Sequence, residues 1–197
     1  MTHARVSHAS NRTVRITIIT LMTHTQGSAR RLMIPAIIAA VVLVADQLTK
    51  AWVLRTWPEP YTGEITLIPG WLAFTYVQNT GVAFGLFSGM PHVFTVTSIV
   101  IVVLALYFYL KHVPAGQRWM AVSLGLIVGG AIGNVIDRIR FGYVVDFIKT
   151  IDGRFPVFNI ADSCIVIGVG LMAVGMTYFE QHQARALHPR VEGDDGR

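Results

Sequence analysis

Four long apolar stretches separated by short polar ones constrain this chain more than any other feature. A helix crosses the hydrocarbon core of a bilayer with about 20 predominantly apolar residues. Such stretches run over about Leu32–Leu54, Phe94–Leu110, Trp119–Ile136 and Ile160–Phe179. Over all 197 residues, 53% are hydrophobic and 14% charged, against roughly 25% charged in a soluble domain. The mean hydropathy is +0.53. The expected fold is therefore an all-α membrane protein with four transmembrane helices, at about 32–54, 94–110, 119–136 and 160–179, joined by outer loops at 55–93 and 137–159. Residues 32–180 form the membrane domain, residues 1–31 a basic N-terminal cytoplasmic extension, and residues 181–197 a cytoplasmic tail. A cleavable signal peptide is the competing reading of Arg30–Ala45, but the apolar run resumes with Ala51-Trp52-Val53-Leu54, which favours a retained anchor.

The net charge of +5 is carried at the tails and loop ends, without a basic stripe. No nucleic-acid partner is expected from that placement. The bases set an orientation instead, because cytoplasmic flanks carry the excess of Lys and Arg. Residues 1–31 hold Arg5, Arg12, Arg15, Arg30 and Arg31 without an acid. Lys111, Arg118, Arg185, Arg190 and Arg197 fall on the same side, whereas Lys50, Arg55, Arg138, Arg140, Lys149 and Arg154 are interleaved with acids on the other. Both termini are thus expected inside and both long loops outside. Tyr61–Val77 has turn signals at Thr62-Gly63 and Pro69-Gly70 around alternating apolar residues. It reads as a small extracytoplasmic β-sheet or hairpin, with Trp71 and Phe74 against lipid or substrate. Membrane lipids are the partners of such a surface.

Ionisable residues at membrane depth are costly and need a reason. Asp46, Thr49 and Lys50 share a helical face, acid before base at i and i+4, which suits an ion pair. Asn134, Asp137 and Arg138 repeat the spacing at the end of the third span. Asn159 and Asp162 open the fourth span, Asp146 lies among apolar neighbours between that pair and the Asn134 cluster, and Asn79-Thr80-Gly81 precedes the second span. The topology sends all these clusters to one membrane face, which points to a site. Ala121, Gly125, Gly129 and Gly133 form a small-xxx-small stripe that reads as helix packing. The single cysteine, Cys164, excludes an internal disulfide, and the seven histidines form no ligand spacing, so neither metal nor cofactor is expected.

Five segments together resemble the bacterial lipoprotein signal peptidase family, signal peptidase II. They are Asp46-Gln47-Leu48-Thr49-Lys50, Asn79-Thr80-Gly81-Val82-Ala83-Phe84-Gly85, Gly133-Asn134-Val135-Ile136-Asp137-Arg138, Val144-Val145-Asp146-Phe147 and Phe158-Asn159-Ile160-Ala161-Asp162-Ser163. The resemblance covers roughly Leu32 to Glu180. Family members begin close to the first span, so the 31-residue extension departs from the pattern and makes Met22 and Met33 alternative starts.

The resemblance implies an intramembrane aspartic endopeptidase of the bacterial inner membrane, with its active site at the outer face. Its substrates would be diacylglyceryl-modified prolipoproteins, cut before the lipidated cysteine. Carried over by motif, the catalytic pair is Asp146 and Asp162. Asp46, Lys50, Asn79, Gly81, Asn134, Asp137, Arg138, Asn159 and Ala161 are the supporting or substrate-binding residues. Two close carboxyls share one proton because both cannot ionise, and so supply an acid and a base together. Residue physics alone hardly separates Asp137 from Asp146 as the partner of Asp162. An apolar setting favours proton sharing at Asp146, while Asn134 and Arg138 suit Asp137 to an ion-pair network. The rival class is a small transporter or channel using intramembrane carboxylates. Such a path needs polar residues through its whole depth, and the inner halves of the second and fourth spans offer almost none.

Overall fold

The computed structural model describes residues 31–81, 91–114, 116–150 and 154–187. Helix α1 spans Arg31–Thr56. Strands β1 (Glu64–Ile68) and β2 (Leu72–Asn79) follow, then helices α2 (Pro91–His112) and α3 (Arg118–Phe141), strand β3 (Val144–Thr150) and helix α4 (Ile160–Leu187). Each helix is long and apolar enough to cross a membrane. Residues 1–30 and 188–197 of the tails, and Val82-Ala83-Phe84-Gly85 of the second motif, lie outside the described residues, whereas α4 runs on into the C-terminal tail as far as Leu187.

Helix α3 is the most buried of the four, because its small residues let neighbours approach. A side chain at Gly125 would meet Pro35 and Ile38 of α1, and one at Gly129 would meet Ala39 and Val42. Gly130, on another face, lies against Ala161 and Ile165 of α4. Ala105, Tyr109, Leu124, Ile127 and Met172 close the bundle near the α2 C-terminus, in an apolar cluster between α2, α3 and α4. Apolar residues such as Val41, Leu48, Val103, Val166 and Val174 are exposed around the outside, as a hydrocarbon solvent requires.

Two differences from the sequence reading concern the segment 137–159. The third helix continues to Phe141 instead of ending near Ile136. Asp137, Arg138 and Arg140 look like loop residues, but bases in a last turn are favoured by the helix dipole. Gly142 then stops the helix at φ 80°, its N–H donating to Arg138 O at 3.0 Å. Beyond it the chain forms β3 rather than loop. Val144–Phe147 are all buried, so the strand shows none of the alternation that marks a one-faced strand in sequence.

The sheet is antiparallel in the order β1-β2-β3. The hairpin of the sequence reading thus gains a third strand from a segment about 70 residues downstream, and its second strand runs on to Asn79. Val53 and Trp57 of the α1 end pack under the sheet with Tyr76, Val145 and Phe147. Phe74 is half-buried, its ring meeting Trp52 at 5.8 Å and Phe147 at 5.9 Å, edge to face. Trp71 at the turn is 71% exposed.

Candidate active site

Strand pairing and helix caps bring the polar clusters together at the sheet end of the bundle. In the β2–β3 register Asp146 faces Val77 and Asn79 faces Val144, which makes Asn79 and Asp146 diagonal neighbours on one face. Asn79 Nδ2 donates to Asp146 Oδ2 at 2.7 Å. The amide is held in that sense by Gly81, whose N–H donates to Asn79 Oδ1 at 2.9 Å from a φ of 100°.

Asn159 and Asp162 form a reciprocal cap on α4. The Asp162 N–H donates to Asn159 Oδ1 at 2.9 Å, and the Asn159 N–H donates to Asp162 Oδ2 at 3.2 Å. The same arrangement turns Asn159 Nδ2 to Asp146 Oδ1, at 2.7 Å. One asparagine therefore binds both carboxyl groups. Asn134 supplies another donor, from Nδ2 to Asp162 Oδ1 at 2.7 Å. Its Oδ1 accepts from Lys50 Nζ at 3.0 Å and Asn159 Nδ2 at 3.2 Å, so its NH₂ must face Asp162.

Asp46 and Asp137 belong to a second, fully buried group. Lys50 Nζ lies 2.9 Å from each of them. Asp46 Oδ1 accepts the Ala161 N–H at 3.2 Å, satisfying one of the free donors of the α4 first turn. Asp137 Oδ2 accepts the Val145 N–H at 3.1 Å. The partner of Asp137 is thus Lys50 of α1, whereas the sequence reading looked to Arg138 beside it. Adjacent residues point about 100° apart on a helix, and Arg138 Nη1 reaches back to Asn134 O at 3.5 Å. The eleven residues singled out in the sequence lie in one connected region, Gly81 and Ala161 through their backbone N–H groups. Sequence reasoning missed Gln47, whose Nε2 donates to Asp46 at 3.2 Å and Asp137 at 3.1 Å. Its only signal was its place between Asp46 and Lys50.

The electrostatics separate the aspartates. Asp137 has a cation at contact distance. Asp146 is 1% exposed, and its hydrogen bonds come from neutral amides. Burial, and after it the charge of Asp162, push the Asp146 carboxyl from 3.8 up to about 7. Asp162 is only half-buried, so it is the more accessible of the two.

Four apolar helices with buried carboxyl and amide groups gathered at one end define a polytopic membrane protein of enzyme type. Two solved structures share this architecture, each a bacterial membrane enzyme. One matches with TM-score 0.64 and 32% identity over 83% of this chain and 93% of its own. The other has TM-score 0.63 and 37% identity over 72% and 91%. The family model for signal peptidase (SPase) II matches residues 38–178. The lipoprotein signal peptidase of Halothermothrix orenii is 42% identical over 69% of this chain and 90% of its own length. That of Symbiobacterium thermophilum is 39% identical over 76% and 97%. The chain belongs to the signal peptidase II family, and is a membrane peptidase.

Proposed function

We propose that the chain is an intramembrane aspartic endopeptidase that removes the signal peptide from diacylglyceryl-modified prolipoproteins, cutting before the lipidated cysteine. Lipoprotein signal peptidase relatives support the substrate class. The observation that carries the mechanism is the Asn159 bridge, which ties Asp146 and Asp162 into one unit. The unit holds one proton between its two carboxyls. The ionised member takes a proton from water, which attacks the scissile carbonyl carbon. The protonated member donates to the carbonyl oxygen as charge develops there, and a proton then passes to the leaving amine. The titration belongs to the pair rather than to either residue.

The Lys and Arg distribution supports insertion in the bacterial cytoplasmic membrane with both termini inside and the site at the outer face. There an exported precursor presents its cleavage point while its acyl chains stay in lipid. Each buried CH₂ is worth about 0.8 kcal/mol, so two chains contribute strongly to retention beside the site. Transport is disfavoured by the apolar cluster that fills the opposite end of the bundle. Incubating the purified protein with a lipidated precursor tests the reading. A gel shift to mature lipoprotein is expected, and an unlipidated precursor should be cut poorly or not at all. Equal rates on both precursors in one detergent would remove the lipid requirement.

A further inference from the structure

Each aspartate of the proposed pair is preceded by a residue whose backbone N–H is gripped by another buried carboxylate. The Ala161 N–H donates to Asp46, and the Val145 N–H donates to Asp137. Both carboxylates converge on one cation, Lys50 Nζ, at 2.9 Å. The third contact of that ammonium, 3.0 Å to Asn134 Oδ1, orients the amide that donates to Asp162. An ammonium has three donors, and here each has an acceptor. Lys50 is 2% exposed, Asp46 0% and Asp137 1%, so salt barely screens the group.

We infer that Lys50 is a positioning residue that sets the separation of Asp146 and Asp162. It acts through Asp137 on β3, through Asp46 on the first turn of α4, and through Asn134 on the Asp162 carboxyl itself. The inference rests on the reading of Asp146 and Asp162 as the catalytic pair. A buried ion pair is a poor stabilising device, since well-packed apolar residues of similar volume often serve as well or better. Its value lies in geometry. Without the cation, Asp46 and Asp137 are like charges bridged by the neutral Gln47 amide, and their repulsion can carry each backbone partner away. Proton transfer through a carboxyl pair tolerates little such movement, and a displacement of about 1 Å can cost about 100-fold in rate.

The test measures kcat and KM on a diacylglyceryl-modified precursor in detergent, with thermal unfolding to establish folding. Lys50→Met should lower kcat about 100-fold and leave KM within about threefold. Lys50→Arg, which restores the charge and several donors, should recover kcat to within about tenfold of wild type. Asp46→Asn keeps a carbonyl to accept the Ala161 N–H but gives up its attraction for Lys50. It should lower kcat about tenfold at unchanged KM. A folded Lys50→Met variant with wild-type kcat overturns the inference, and so does a folded Lys50→Arg variant no more active than Lys50→Met. Parallel deterioration of kcat and KM in Lys50→Met and Asp46→Asn would mark a merely structural role and overturn it as well. If Lys50→Met does not fold, wild-type kcat in Asp46→Asn has the same consequence. Failure of the wild-type protein to cut the precursor strikes the catalytic reading instead, which keeps the two failures distinct.

Discussion

Asn159 donates its side-chain amide to Asp146 at 2.7 Å across 13 residues of chain. The same residue caps α4, so the cap that starts the helix also fixes where Asp146 stands relative to Asp162. Local helix chemistry and the proposed catalytic geometry are here one set of hydrogen bonds.

Asp146→Asn and Asp162→Asn should each abolish cleavage, with at least a 100-fold loss of kcat, because an amide neither shares nor shuttles the proton. Both variants should still insert in the membrane and unfold cooperatively in detergent. Substantial turnover by either purified variant would remove that residue from the pair.

The raised Asp146 carboxyl has a pH signature. The pair keeps its shared proton until pH rises through about 7, so log kcat should fall above that value. Stability follows the same sign. The folded state binds this proton more tightly than the unfolded chain, where the carboxyl titrates near 3.8. That contribution is full below 3.8 and is lost as pH rises through about 7. Asp146→Asn removes the dependence and should therefore gain on wild type in thermal unfolding between pH 4 and pH 8. A constant difference across that range would contradict the burial argument.

Gly133→Ala should damage the site from outside the pair. A Cβ there meets the Asp46 carboxylate, which Lys50 and Ala161 already hold. Loss of activity with a lower unfolding temperature is expected. Gly170, where a Cβ meets nothing, is the control. Alanine there should leave cleavage unchanged and stabilise by up to about 1 kcal/mol.

Arg31 clamps the far end of the bundle. Its guanidinium donates to the carbonyls of Tyr109, Leu110 and Val113 at the α2 C-terminus, and lies 4.9 Å from the Tyr109 ring centroid. Tyr109 Oη donates back to Arg31 O at 3.1 Å. Arg31→Ala should cost about 1–2 kcal/mol, a fall of several degrees in unfolding temperature.

Orientation is testable with single cysteines in a Cys164→Ser background that retains activity. Glu64 is exposed, with Lys149 at 2.6 Å and the Thr66 hydroxyl at 3.4 Å, surface contacts worth little. A thiol there should react with an impermeant maleimide added outside intact cells. One at Gln117, in the α2–α3 connection, should react only after permeabilisation. The reverse pattern would turn the site toward the cytoplasm.

The sequence by itself determined the four apolar helices, because span length and hydropathy are local properties set by the bilayer. It also determined the Asp46–Lys50 spacing and the Asn159–Asp162 spacing at the start of the fourth span, since helical periodicity places residues three and four apart on one face. Only the tertiary structure decided that Val144–Thr150 is a strand, because its partner β2 lies about 70 residues away and burial on both faces erases alternation. Only packing, too, brought Lys50 of α1 onto Asp137 of α3. That contact distinguishes Asp137, paired with a cation, from Asp146, held by neutral amides beside Asp162. Both are aspartates near the end of one span, and no local pattern carries the difference. The distinction arises from which buried group each carboxyl meets once the helices close.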